Sequence, residues 1–187
     1  RKEVEQALAD SEQRFALAAD GANDALWDAH IIPGESWHSP LTPLWWSPRT
    51  RLVLGIEESD PFDRLEHWAS RVHPDDIARV FGLLAAHIEH HAPYDAEYRL
   101  RTSQGDYRWI RARGQAIWDE QGNPRRMSGS CKDVTERKTR EMLIAAENDL
   151  LNMIATDAPL PAILTTMCRA LEACVSESLC SILLLDR

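Results

Sequence analysis

The stretch 94–138, YDAEYRLRTSQGDYRWIRARGQAIWDEQGNPRRMSGSCKDVTERK, decides the fold of this chain. Its three runs of alternating polar and apolar residues are separated by the glycine-containing turns SQGD and DEQGNP, a pattern typical of antiparallel hairpins. Because side chains two apart share one face of a strand, each run has an apolar face and a polar face. The stretch therefore predicts a three-stranded meander with one face turned to a core.

The predicted inner face of the meander carries small side chains. Ala112, Gly114 and Ala116 follow Ile110 on the second run, and the third run adds Gly129 and Cys131. Such side chains either leave room for a ligand or admit Phe81 and Leu84 from a covering helix, and the sequence leaves both alternatives open. On the opposite face, Trp109 lies among arginines and is expected to point outward.

The third run ends at the predicted start of a helix. Asp133 stands three residues before Glu136, the spacing of a capping box, so the sheet is expected to lead directly into a helix over residues 135–157. In that helix Leu143, Ala146, Leu150 and Met153 alternate three and four residues apart. This spacing predicts a short coiled-coil seam.

Upstream, three further patterns predict regular structure. Residues 1–20 are expected to form an amphipathic helix with Val4, Leu8 and Phe15 on one stripe, and short strands are expected at 24–31 and 44–47. Short helices are expected at 50–54 and 64–72. Proline at the first helical position and the acidic pair in HPDD then predict a helix from Pro74 to about His90, with His73 as its cap. Its inward stripe is Ile77, Val80, Phe81, Leu84 and Ile88.

The composition restricts the partners. The chain has 187 residues, a net charge of −9 and no long basic run, which argues against a nucleic-acid groove or an anionic membrane as the main partner. Four cysteines without CxxC spacing favour reduced structural thiols in the cytoplasm. No apolar run is long enough to span a bilayer. The start without methionine and the end after a strand-like run suggest a piece of a longer protein.

The helix-opening HPDD, the meander EYRLRTSQGDYRWIRARG and the closing GSCKDVTERK resemble a PAS domain with a PAC-type C-terminal meander. The resemblance implies an α+β fold with a five-stranded antiparallel sheet of order 2-1-5-4-3 and helices on one face, flanked here by amphipathic helices at both ends. The Pro-containing loop at 32–43 departs from the family pattern. Residues 158–187 are similar to the start of a GAF domain. The PAS domain is expected at 21–134, with the helical linker at 135–157 between the two.

The resemblance also implies a role. A PAS domain joined by a helix to a GAF domain is expected in a multidomain bacterial signalling protein with a downstream histidine kinase or cyclic-di-GMP enzyme. The family's Asp-Ile-Thr junction corresponds to Asp133, Val134 and Thr135, which are expected to relay a change to the exit helix. The candidate pocket residues are Trp27, Phe81, Leu84, Tyr98, Ile110, Ala112, Gly114, Gly129 and Cys131.

Three hypotheses follow. The first is a sensor of a small ligand or partner, in a homodimer with candidate contacts Val4, Leu8, Phe15, Trp109, Leu143 and Leu150. The second is a ligand-free dimerisation and spacer module. The third is a haem-based gas or redox sensor, which would use His87, His90 or His91.

Surface histidines at a helix end and tryptophans packed in a core are favoured over a haem or flavin site. The flavin-photoreceptor motif is missing. No catalytic motif is found, so the chain itself is predicted not to be an enzyme.

Overall fold

The computed structural model describes residues 24–174 and 179–182. The chain forms two compact units with the boundary between Asp133 and Val134. The predicted N-terminal helix, with Val4, Leu8 and Phe15, lies outside the described residues. Among residues 24–174, no helix combines the length and the apolar composition needed to cross a lipid bilayer.

Over its described residues, 24–133, the first unit is an antiparallel sheet with three helices. Its elements, in chain order, are β1 (Ala25–His30), β2 (Leu44–Trp46), α1 (Pro48–Leu54), α2 (Leu65–Ala69), α3 (Pro74–His90), β3 (Tyr94–Arg101), β4 (Tyr107–Trp118) and β5 (Pro124–Asp133). The spatial order β2-β1-β5-β4-β3 confirms the predicted fold. Gly105 and Gly122 have φ values of 100° and 81° in the two hairpin turns, which only glycine adopts without strain.

The strand register aligns side chains of matched size in rows across the sheet. One row contains only small residues, Ala25, Cys131, Ala112 and Ala96. The next row on this face places two glycines between large aromatic side chains, in the order Trp46, Trp27, Gly129, Gly114 and Tyr94. The small inner face predicted from the sequence is therefore a continuous shallow groove, and Trp27 has room to lie across it.

Helix α3 begins and ends as predicted, from Pro74 to His90. The His73 ring accepts a hydrogen bond from the Asp75 backbone N–H at 3.2 Å, which confirms His73 as the cap. Asp76 does more than favour the helix dipole, because it is buried and accepts bonds from the Arg99 backbone N–H (3.0 Å) and Nε (2.9 Å). This carboxylate ties the first turn of α3 to β3.

The inward stripe of α3 is close to the predicted one. Val80, Leu84 and Ile88 are buried, whereas Ile77 and Phe81 are half-buried and pack against the core. Two polar residues, Asp76 and His87, are also buried on this helix and were not expected there. The hydrophobic stripe identified the face correctly, but apolar character alone cannot find polar side chains that have partners in the sheet.

The capping box predicted at Asp133 and Glu136 is wrong. The second unit begins with α4 (Thr135–Ala155), whose N-cap is Val134 without any side-chain cap hydrogen bond. Asp133 remains the last residue of β5, paired with Ile110, and its Oδ2 accepts a hydrogen bond from Arg108 Nη1 at 2.8 Å. Pairing in the sheet therefore overrides the local capping pattern.

Helix α4 is followed in the second unit by α5 (Leu160–Cys174), and the two helices contact each other. Asp157, with φ of 53°, lies in the turn between them. Leu143 on the predicted seam is 43% exposed and Leu150 is half-buried. Of the strand-like run at the end of the chain, residues 181–185, Ser181 and Ile182 have no regular secondary structure, and the remainder lies outside the described residues.

Candidate functional site

The main pocket lies between the inner face of the sheet and helices α2 and α3. Its cavity volume is about 60 Å³. Four tryptophans and two tyrosines line it, namely Trp27, Trp37, Trp46, Trp68, Tyr94 and Tyr98. The loop at 32–43, identified as a departure from the family pattern, contributes both Trp37 and Thr42. No residue that lines this pocket carries a charged side chain.

The aromatic side chains hold one another in fixed orientations. Trp68 donates its indole N–H to the Tyr98 hydroxyl at 3.1 Å, and the two rings meet edge to face with centroids 5.8 Å apart. Trp27 meets Tyr94 in the same geometry at 6.3 Å. Burial raises the pKa of both Tyr94 and Tyr98, so these hydroxyls remain neutral at physiological pH. The pocket is therefore apolar, aromatic and uncharged.

The structure brings some of the predicted pocket residues together and separates others. Trp27, Leu84, Tyr98 and Ala112 line the main pocket. Ile110 and Cys131 line a second pocket, described below, in which Tyr98 is also a wall residue. Phe81 packs instead against the rings of Trp37 and Trp68, at centroid distances of 6.3 and 5.9 Å. Sequence reasoning missed Trp37, Thr42, Trp46 and Trp68.

The two glycines among the candidates are required by packing. A Cβ at position 114 would lie 2.5 Å from the Trp27 ring, and a Cβ at position 129 would lie 1.9 Å from the Arg113 carbonyl oxygen. Neither of the two alternatives left open for the small inner face describes Gly114, because the Trp27 ring fills the space beside it. The glycines allow the aromatic wall and the strands to approach closely.

A second pocket, the junction pocket, reaches the end of the sheet. Its volume is about 90 Å³, and its lining includes Thr50, Leu54, Ile110, Cys131 and Asp133. Burial is the main cause that raises the pKa of the Cys131 thiol, to about 12, so the sulfur remains protonated. Trp46 and Tyr98 line both the main pocket and the junction pocket. These two rings form a wall that the pockets share.

The three candidate haem histidines have different surroundings. His87 is 1% exposed, which corrects the expectation that all three are solvated at the helix end. Its Nε2 accepts the Ala116 backbone N–H at 2.9 Å and its Nδ1 donates to the Ala92 carbonyl at 2.5 Å. His90 and His91 are exposed, and His91 ends α3 in a left-handed conformation against the Trp118 ring.

These residues do not fit haem or flavin. Both nitrogens of His87 are engaged by the backbone, and no histidine lines the main pocket. The propionates of haem and the phosphate of a flavin nucleotide need cationic partners, which this pocket lacks. Within the described part of the chain, no group of three histidine, cysteine or acidic side chains is placed to hold a metal ion.

The outer face of the meander is charged. Asp95 accepts hydrogen bonds from Arg111 Nη2 (2.6 Å) and Arg113 Nε (3.0 Å), and the Arg111 bond is the main cause that lowers the pKa of Asp95 to about 2. Trp109 lies on this face as predicted, with the Arg99 guanidinium 5.5 Å from its ring centroid. This surface is ordered by ion pairs and a cation–π contact.

Comparisons with known proteins agree with the architecture. The PAS fold family model matches residues 43–131. A crystal structure of a sensory box histidine kinase/response regulator from Burkholderia thailandensis E264 is 41% identical, with a TM-score of 0.62 over 74% of this chain and 98% of that chain.

Curated relatives are more distant. The sensor protein FixL of Bradyrhizobium diazoefficiens is 29% identical over 79% of this chain and 27% of its own length. The two-component sensor PprA of Pseudomonas aeruginosa is 26% identical over 85% of this chain and 16% of its own length. The chain spans about half or less of the length of the curated relatives that it matches.

Proposed function

This chain belongs to the PAS-fold family, and from that premise we propose that it is the sensory module of a bacterial signalling protein. A small molecule binds in the main pocket, and the resulting change passes through Asp133, Val134 and Thr135 into helix α4. The relatives that carry the words sensor or sensory in their names support this assignment.

One observation carries the proposal: Trp46 and Tyr98 line both the main pocket and the junction pocket. Interiors are close-packed, so a ligand that moves either ring changes the space available on its far side. The junction pocket ends at Asp133, the last residue of the sheet. A change in the main pocket thus has a contiguous path to Asp133, the last residue of the sheet.

The contacts of Asp133 indicate how a displacement of the pocket residues would reach it. Its backbone pairs with Ile110 in β4, and its carboxylate is held by Arg108 at 2.8 Å. Ile110 also lines the junction pocket and pairs with Tyr98 on β3. A displaced Tyr98 therefore acts on a direct neighbour of Asp133. The N-terminus of α4 at Val134 has no side-chain cap hydrogen bond.

The mechanism is a population shift between two arrangements of the wall. The ligand stabilises the arrangement that it binds more tightly, and the size of the shift equals its difference in affinity for the two. Substitution of Ala112, which lines the main pocket, by methionine fills the space as a ligand does. We expect it to change the amide hydrogen exchange of residues 134–138, and unchanged exchange would contradict the relay.

Exposed apolar residues on α4 favour a second function, that of a ligand-free dimerisation and spacer module. Leu143, Ile144, Leu151 and Ile154 are 43–59% exposed. Pairing of two such helices through the predicted seam would bury part of this surface. The two functions differ in one measurable respect, because a spacer leaves the exchange of residues 134–138 independent of what fills the main pocket.

The remaining assignments extend to the longer protein. We propose that residues 158–187 begin a GAF domain, that the protein acts as a homodimer in the cytoplasm, and that catalysis belongs to a downstream domain such as a histidine kinase. The kinase title of the 41% identical structure supports this output. Purification of the longer protein and assay of its autophosphorylation with ATP test it.

A further inference from the structure

The lining of the main pocket excludes a charged ligand. Its side chains are aromatic or aliphatic apart from the hydroxyl of Thr42, and its two tyrosines are neutral. A carboxylate or phosphate moved into this space would lose its hydration without gaining a counter-ion. The compound that fits is uncharged and largely apolar, with flat surfaces to match those of the tryptophan rings.

Two polar atoms of the lining residues have no hydrogen-bond partner within the described part of the chain. They are Trp46 Nε1 and Thr42 Oγ1, and both are shielded from solvent, with their residues 8% and 1% exposed. Buried polar atoms in folded proteins are paired in the great majority of cases. Of the four buried side-chain atoms without a hydrogen-bond partner among the described residues, these two belong to residues that line one pocket, whereas Thr102 Oγ1 and His67 Nδ1 lie elsewhere. A ligand that pairs with these two supplies their missing partners.

Other indole groups of the pocket are already engaged. Trp27 donates to the Ser130 carbonyl at 3.3 Å, Trp68 to Tyr98 at 3.1 Å, and Trp37 to Glu89 at 3.4 Å. Trp46 therefore differs from these three in having an unused donor. An indole nitrogen can only donate, so its partner must be an acceptor, whereas the Thr42 hydroxyl can supply a second donor.

We propose that the main pocket binds an uncharged, largely apolar small molecule whose hydrogen-bond acceptor, such as a carbonyl oxygen, pairs with Trp46 Nε1 and Thr42 Oγ1. This inference rests on the proposed sensory function and specifies the chemistry of its ligand. The loop at 32–43, which departs from the family pattern, contributes to this proposed site because it supplies Thr42.

The shielding of both donors links recognition to the relay. Neither atom is accessible to water in this structure, so an acceptor reaches them only when the lining side chains separate. Trp46 also borders the junction pocket. The ring that recognises the acceptor is thus one of the two rings whose displacement reaches Asp133.

Three probes of similar size test the acceptor. Acetophenone has an apolar body and one carbonyl, ethylbenzene has the same body without an acceptor, and benzoate adds a charge. Each is titrated into the full 187-residue chain and followed by ¹⁵N NMR, including the tryptophan indole signals. One added hydrogen bond predicts that acetophenone binds at least about fivefold more tightly than ethylbenzene, with benzoate weaker than both.

Substitutions identify the donors. Trp46→Phe and Thr42→Val keep most of the side-chain shape, and either one should reduce the preference for acetophenone over ethylbenzene. Trp45→Phe, at an exposed neighbouring position, should leave it unchanged. If a variant does not fold, the three probes on the unmodified chain and the shift of the Trp46 indole signal still decide the question.

The outcomes separate the ligand chemistry from the sensory function. Equal binding of acetophenone and ethylbenzene, or a preference for benzoate, overturns the acceptor site while leaving a pocket that binds small molecules. A preference that survives both substitutions also overturns it. Failure of all three probes to bind contradicts both this inference and the proposed binding pocket.

Discussion

The Trp27 ring occupies the space above Gly114, so closely that a Cβ at position 114 would lie 2.5 Å from it. The two residues are 87 positions apart in the chain and are brought together through Gly129, which pairs with both. This contact forms part of the wall of the main pocket. It also explains why position 114 is occupied by glycine.

Gly114→Ala should destabilise the protein by about 1–3 kcal/mol, because the added methyl group must displace the Trp27 ring or the backbone. Urea unfolding followed by tryptophan fluorescence measures the change. Gly82→Ala is the matched control, since Gly82 is exposed in α3 and a Cβ there meets nothing within 4 Å. That control should gain up to about 1 kcal/mol of helix stability. Equal effects at the two positions would refute the steric explanation.

His87→Ala should cost about 3 kcal/mol of unfolding free energy, because it leaves the Ala116 N–H and the Ala92 carbonyl without their buried partners and opens a cavity. His90→Ala, at the exposed neighbouring position, should change stability by less than about 0.5 kcal/mol. Chemical denaturation of both variants checks the difference. If His87→Ala were as mild as His90→Ala, the imidazole would not link α3 to β4.

Asp76 should contribute stability that depends on pH. Burial raises the pKa of its carboxyl, but hydrogen bonds from Arg99 and its positive charge lower it by more, so the net shift is downward. A group whose pKa is lower in the folded state stabilises the protein above its unfolded pKa, near 4, and loses that contribution as the pH falls through its folded pKa.

Asp76→Asn should therefore cost about 2 kcal/mol at pH 7 and progressively less as the pH falls below about 4. Thermal unfolding of both proteins between pH 2 and 7 measures this dependence. Asp75→Asn is the control, because the Asp75 side chain is 76% exposed and lies farther from the Arg99 guanidinium, at 3.6 Å against 2.9 Å for Asp76, so its effect should be smaller. A constant difference between Asp76→Asn and the unmodified protein over this range would contradict the ion pair with Arg99.

The double substitution Leu143→Lys with Leu150→Lys should weaken self-association at least about tenfold, since two charges would enter the predicted seam. The control is Asn148→Lys with Asn152→Lys, which adds the same charge at exposed positions on the other side of α4. Light scattering over a concentration series gives the mass of each variant. An unchanged mass for the leucine variant would defeat the coiled-coil prediction.

The strands and α3 could be predicted because alternation, glycine turns and a proline start are local signals. The contact between Trp27 and Gly114 could not, because it depends on the pairing of strands distant in sequence. His87 had a readable signal, since it lies three residues after Leu84 and seven after Val80 on the buried stripe. The capping pattern at Asp133 gave a wrong prediction, because the pairing of β5 with β4 extends through that residue.

The central claim is that occupancy of the main pocket reaches the start of α4, and amide hydrogen exchange of residues 134–138 tests it most directly. Lys138 is a suitable reporter, because its N–H donates to the Val134 carbonyl at 2.9 Å. We predict that Ala112→Met alters exchange in this segment at least about threefold, the result of a shift of about 0.7 kcal/mol. Gln115→Met, on an exposed position of the same strand, should leave it unchanged. Identical exchange in all three proteins, each folded by circular dichroism, would contradict the relay.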